Sequence, residues 1–95
     1  MEQELRRVYY DPELGVEACL FQGIDQGFPE HFHTYYVMGT MDRGSREVTI
    51  AGETLRLAPG ELVFFQPGEP HACRPVGEER LDWRGLHVPQ EVMER

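Results

Sequence analysis

Three histidines have the side-chain type and the spacing that suit a metal ion. His31 and His33 are separated by one residue, and His71 follows the turn sequence QPGEP. Alternate side chains of an extended segment point to the same face, so His31 and His33 should lie together, with Phe32 on the opposite face. The prolines and glycine of the turn fix the backbone that aims His71. Three neutral imidazoles at one place predict an open site for divalent Zn, Ni, Fe or Cu.

Neighbouring residues could complete this site or line a pocket around it. Tyr35 continues the face of the first two histidines, and its hydroxyl could bind a ligand or a metal-bound water. Cys73 lies two residues beyond His71 and is a candidate thiolate ligand, although a small buried hydrophobe is the more frequent role of such a cysteine. His87 is expected to be a structural or surface histidine. Spacing alone also allows a metal-free polar pocket or a solvated edge.

The segments that carry these side chains are predicted to be β-strands. Glycine and proline recur throughout, and the segments between them are rich in Val, Tyr, Phe, Leu and Thr. This pattern predicts an all-β protein, either a sandwich or a jelly-roll barrel. The strands are predicted at residues 6–10, 16–22, 33–41, 46–50, 53–57, 62–66, 71–74 and 82–88.

Two connections have clearer signals than the strand ends. Ala51 and Gly52 separate two alternating segments and predict a tight hairpin turn. The segment PQEVMER after Val88 predicts a short helical turn, since Pro89 suits a first helical position and Glu91 a first turn. A helix of this length is unstable alone, so it should pack on the barrel or begin a longer element.

Length and composition limit the classes of function. The 95 residues predict a single domain spanning 1–95, and a core this small favours association into a homodimer. Nine arginines and no lysine stand against 17 acidic residues, a net charge of -8, which argues against binding to nucleic acid or anionic membranes. The N-terminus lacks the apolar centre of a signal peptide, and two cysteines suggest reduced thiols, so a cytoplasmic protein is expected.

The histidine spacing resembles the two motifs of the cupin family. In the first motif, His31, His33 and Gly44 occupy the expected positions, and in the second, Gly60, Gly68 and His71 do so. The resemblance covers about half of the chain, from Gly27 to Pro75. It implies an antiparallel jelly-roll barrel in which His31, His33 and His71 are metal ligands.

The chain departs from these motifs at four positions. Val37 stands where the cupin glutamate ligand would be, which leaves a three-histidine site and weakens the case for oxygenase chemistry. The other departures are Asp25 for the first glycine, Gln66 for the motif proline and Pro75 for the asparagine.

Two longer runs resemble the N-terminal ligand-binding domain of AraC-type transcription regulators, a cupin subclass. These are FPEHFHTYYVMGTMDRG and LRLAPGELVFFQPGEPHACRPV. The resemblance implies a domain that senses a small molecule in a pocket lined by His31, His33, Tyr35 and His71, without catalysis and without the DNA-binding half of such regulators. The alternatives are a stand-alone metal-dependent cupin enzyme (dioxygenase, isomerase or lyase) and a pure interaction module.

Overall fold

Residues 3–94 form nine β-strands and one short helix. The computed structural model describes these residues. The elements are β1 (Leu5–Asp11), β2 (Val16–Ile24), β3 (Phe28–His31), β4 (Tyr36–Arg43), β5 (Arg46–Ile50), β6 (Glu53–Leu57), β7 (Leu62–Phe65), β8 (His71–Pro75), β9 (Leu81–Val88) and α1 (Gln90–Met93).

The strands pair into two antiparallel sheets. One sheet has the order β1-β2-β9-β4-β7, and the other has the order β3-β8-β5-β6. The chain passes repeatedly from one sheet to the other, which is the arrangement of a jelly roll. The predicted all-β jelly-roll barrel with a short C-terminal helical turn is therefore confirmed.

The prediction of one strand over residues 33–41 is wrong. The chain instead forms β3, which ends at His31 in the four-stranded sheet, and then enters the five-stranded sheet with β4 at Tyr36. The composition of β3, FPEH, gives little strand signal, and Pro29 fits only because β3 is an edge strand. The histidine pair therefore lies where the chain crosses between the sheets.

A hydrophobic core fills the space between the sheets. In β4, Val37 and Met41 are buried on alternate positions, as expected for a strand with one face inward. Partly buried aromatic side chains, including Phe21 and Trp83, pack against this core. The core cluster consists of Ile24, Val37, Met41, Val48, Leu57, Phe65 and Leu81.

The two predicted connections are present. Ala51 and Gly52 both have positive φ, 51° and 82°, and form the two-residue turn between β5 and β6. Helix α1 contacts the barrel, because the Gln90 side-chain amide donates a hydrogen bond to the Thr34 carbonyl at 2.8 Å. Within residues 3–94, no helix has the length and the apolar character needed to cross a membrane.

Candidate metal centre and adjoining cavity

The structure brings the three predicted histidines together at one end of the barrel. His31 ends β3 and pairs in register with His71, the first residue of β8, while His33 lies in the connection to β4. One ligand nitrogen from each ring lies within 4.8 Å of the other two. The ring centroids are 4.8 Å apart for His31 and His33, and 4.4 Å apart for His31 and His71. Phe32 points away and is 62% exposed.

Backbone carbonyls set the tautomers of two of these rings. His31 Nδ1 donates to the Pro29 carbonyl at 2.7 Å, and His71 Nδ1 donates to the Glu69 carbonyl at 3.1 Å. A carbonyl oxygen only accepts hydrogen bonds, so both Nδ1 atoms carry the proton and each Nε2 keeps its lone pair when the ring is neutral. Hydrogen bonds of this kind orient histidine ligands in metal sites.

His33 and His71 resist protonation. Burial, followed by the nearby His31, His71 and His87 rings, lowers the pKa of His33 to about 4. Burial also lowers the pKa of His71, against the opposing effect of its hydrogen bond to the Glu69 carbonyl. At neutral pH these imidazoles are therefore neutral, which is the form that binds a metal.

The donor set fits a divalent transition metal. Zn–N bonds of 2.0–2.1 Å place two ligand nitrogens about 3.3 Å apart on a tetrahedral ion, so small ring movements suffice to bring all three nitrogens onto one ion. The cupin carboxylate is absent because position 37 is a valine. Val37 is buried, and its partners on the two neighbouring strands are Phe65 and His87. Three imidazoles leave at least one coordination position for water or a ligand, and a metal held there would supply Lewis acidity.

Tyr35, the fourth predicted site residue, connects the histidines to an open cavity. Its ring stacks on His33 at 4.8 Å between centroids. The same ring lines a cavity of about 510 Å³ beside α1. Burial raises the pKa of Tyr35, with a smaller effect of the Glu17 charge, so the phenol is neutral at physiological pH. The residues around this cavity are Thr34, Tyr35, His87, Pro89, Gln90 and Glu91.

His87, predicted from the sequence to be a structural or surface histidine, lies beside this site. Its ring lies 4.9 Å from Tyr35 and 6.2 Å from His33 between centroids, and it lines the cavity. Its Nδ1 donates to the Glu17 carboxylate at 2.8 Å, and its Nε2 lies 3.8 Å from Cys19 Sγ. Glu17 and Cys19 share one face of β2, but nothing in the sequence shows that β2 pairs with β9.

Cys73 contributes to the core. Its side chain packs against the hydrophobic cluster, and its Sγ lies 4.0 Å from the Nη1 of the buried Arg46. Burial raises the pKa of the Cys73 thiol despite the Arg46 charge. Among residues 3–94, the cluster of potential metal ligands comprises the three histidines without Cys73. Both cysteines are free thiols.

The depressed histidine pKa values predict a pH-dependent stability for the metal-free protein. Unfolded His33 binds a proton near pH 6.5, whereas the folded residue does so only near pH 4. Between these values the unfolded state binds more protons, so the free energy of unfolding should decrease as the pH falls from about 6.5 to about 4. Urea denaturation of chelator-treated protein across this range measures the slope. His33→Asn should flatten it, and an unchanged slope in that variant would contradict the shift.

Comparison with known proteins gives consistent matches. The family model described as AraC-like ligand binding domain matches residues 14–95. The uncharacterized HTH-type transcriptional regulator YbfI of Bacillus subtilis is 38% identical over 95 residues, which are all of this chain and 34% of that protein. The chain thus spans about a third of the length of the curated relative it matches.

Solved structures show the same fold. A conserved protein of unknown function from Streptococcus pyogenes superposes with a TM-score of 0.75 and 27% identity, over 92% of this chain and 75% of that one. A cupin superfamily protein from Desulfitobacterium hafniense gives a TM-score of 0.77 with 16% identity, over 93% and 79% of the two chains.

Proposed function

The chain belongs to the AraC-like ligand-binding domain family, and from this premise we propose that it is a sensor domain that binds a small molecule beside a metal held by His31, His33 and His71. The observation that carries the proposal is the cluster of three imidazoles, with Tyr35 stacked on His33 and lining an open cavity. The relative's name, an HTH-type transcriptional regulator, supports a role in transcription regulation. Residues 1–95 would form the single sensing domain, acting in the cytoplasm.

Different residues would hold the metal and the small molecule. One nitrogen from each of the three rings would hold Zn, Ni, Fe or Cu, with the remaining positions open to water or to a ligand atom. Tyr35 offers a hydroxyl and a ring face to the rest of the ligand. Glu17 accepts a hydrogen bond from His87 and so holds that ring in a fixed orientation at the cavity wall.

One observation favours the second candidate, a metal-dependent cupin enzyme. The Glu17 and His87 pair has the arrangement in which a carboxylate orients a histidine that acts as a general base. Among the dioxygenase, isomerase and lyase alternatives, a reaction that removes a proton would use such a base close to an open metal position. The sensor remains the preferred proposal, because the site lacks the cupin glutamate and the family match is to a ligand-binding domain.

A small molecule that binds without being converted would distinguish the sensor from the enzyme. Zinc-loaded protein should show a higher melting temperature with some members of a panel of sugars, amines and small carboxylates, because a ligand that binds only the folded state stabilises it. Proton NMR of each stabilising compound should then show it unchanged after prolonged incubation. Conversion of the compound would support the enzyme and contradict the sensor.

We propose that the chain also forms a dimer through the outer face of the five-stranded sheet. A row of apolar side chains crosses all five strands in register. Three of these side chains are exposed, with exposed fractions of 41–54%. The row carries no charge in a chain of net charge -8, so a second copy can approach there with the least repulsion. Its members are Tyr9, Ala18, Leu86, Met38 and Phe64.

A charge in the middle of this row should separate the two copies. Size-exclusion chromatography with light scattering should give twice the 11.0 kDa chain mass for the wild type and the single mass for Leu86→Arg. Leu14→Arg, an exposed apolar residue in the turn between β1 and β2, should leave the dimer intact. A monomeric wild type at micromolar concentration would contradict the interface.

We propose no direct contact of this chain with DNA, since its charge repels phosphate.

A further inference from the structure

The cavity beside α1 has acidic and aromatic walls. Glu91 lines it from α1, and Tyr35 lines it from the barrel. His87, also in the wall, is hydrogen-bonded to the Glu17 carboxylate at 2.8 Å. Among the described residues that line the cavity there is no arginine. Glu91 is therefore the one carboxylate among the described lining residues, and the Glu17 carboxylate lies behind the His87 ring.

The arginine ion pairs seen within residues 3–94 are formed with carboxylates other than Glu17 and Glu91. Arg84, for example, pairs with Asp42 at 2.7 Å. Within residues 3–94, Glu17 is bonded to His87, and Glu91 has no ion-pair partner. A bound anion would be repelled by the Glu91 carboxylate, whereas a cation would be attracted by it.

Gln90 provides a further acceptor. Its amide nitrogen is engaged with the Thr34 carbonyl at 2.8 Å, so its side-chain oxygen keeps its lone pairs for a donor in the cavity. The cavity thus combines a carboxylate, an amide oxygen and an aromatic ring. Carboxylate and amide oxygens accept the hydrogen bonds that an ammonium group donates, and aromatic rings attract its charge.

We propose that this cavity binds an organic cation, a protonated amine carried on a small apolar or aromatic group. The ammonium would lie against Glu91 and the Gln90 oxygen, and the apolar part would lie against the Tyr35 ring. This inference rests on the proposed small-molecule function and names the chemical class of the ligand. The metal site is a separate locus, because its three ligands are His31, His33 and His71.

Three probes of equal size and different charge test the class of ligand. Benzylamine, benzyl alcohol and benzoate carry positive, zero and negative charge, and each is titrated by calorimetry into chelator-treated protein, so that an amine cannot bind through a metal. Benzylamine should bind more tightly than the other two. Glu91→Gln should weaken its binding about threefold to fivefold, as for a partly exposed ion pair.

Matched variants separate local from general charge effects. Glu53→Gln changes the net charge equally, but it lies in β6 of the other sheet and should leave benzylamine binding unchanged. Tyr35→Phe keeps the ring and should retain binding, whereas Tyr35→Leu should weaken it about threefold. An equal loss in Glu53→Gln and Glu91→Gln would overturn the local site.

The remaining outcomes distinguish this inference from the proposed function. Tighter binding of benzyl alcohol or benzoate would overturn the cation while leaving small-molecule binding at the cavity. No binding of benzylamine at millimolar concentration would also overturn the cation. Zinc titration of the same sample then shows separately whether the metal part of the proposed function holds.

Discussion

Replacing His71 with alanine should abolish the stabilisation that added Zn²⁺ or Ni²⁺ gives to the wild-type protein. The ring supplies one of only three predicted ligand nitrogens, and its Nδ1 bond to the Glu69 carbonyl aims Nε2 at the shared position. A metal present at 100 times its dissociation constant stabilises the folded state by about 2.7 kcal/mol. For a domain of this size, that corresponds to a rise in melting temperature of about 10–20 °C. Chelator should return the wild type to its baseline.

Controls are needed because His71 also packs in the structure. Its ring stacks on Phe65 at 3.8 Å between centroids, so His71→Ala should lower the baseline melting temperature as well. The metal-induced shift, rather than the absolute value, is therefore the quantity to compare. His33→Ala should also lose the shift, whereas His87→Ala should retain it, since His87 lies outside the ligand cluster. A shift that persists in His71→Ala would show that the metal binds elsewhere.

Val37→Glu should increase metal affinity and reduce the stability of the metal-free protein. Position 37 is the cupin glutamate position by resemblance, and Val37 is buried beside His87 and Phe65. Without a metal, a buried and unpaired carboxylate should cost more than the roughly 1–3 kcal/mol of a neutral unsatisfied group. With a metal, an anionic ligand should tighten binding at least about tenfold, since even groups that only orient ligands contribute 10–100-fold.

A matched variant isolates the charge. Val37→Gln has nearly the same shape as Val37→Glu and lacks the negative charge, so it should destabilise the protein without a comparable gain in affinity. Calorimetric titration with Zn²⁺ measures the affinities, and urea denaturation in chelator measures the stabilities. Equal zinc affinity in Val37→Glu and wild type would show that position 37 does not face the metal.

The sequence predicts the ligand cluster better than the elements that carry it. The spacing of His31, His33 and His71 indicated their convergence, because alternate residues of an extended chain share a face whether or not they lie in one strand. The strand prediction over residues 33–41 failed at the crossing between the sheets, where β3 has a weak signal and contains Pro29. Glycine and proline between segments rich in Val, Tyr, Phe, Leu and Thr predicted the other strands.

Long-range pairing explains what sequence reasoning missed. Glu17 and His87 are 70 residues apart, and they meet because β2 and β9 are neighbours in the five-stranded sheet. The hydrophobic pattern fixes which face of each strand is buried but not which strands are neighbours. The cavity beside α1 also depends on this pairing, since β9 leads directly into Pro89 and the helix.

Metal analysis of the wild-type protein, purified without a histidine tag or chelating resin, tests the central claim most directly. Elemental analysis after incubation with Zn²⁺ and gel filtration should find about one ion per 11.0 kDa chain, as expected for a three-histidine site. The same treatment should leave His71→Ala without bound metal, and lowering the pH towards 4 should release the ion as the imidazoles protonate. A wild type that retains no more zinc than His71→Ala would contradict the metal centre.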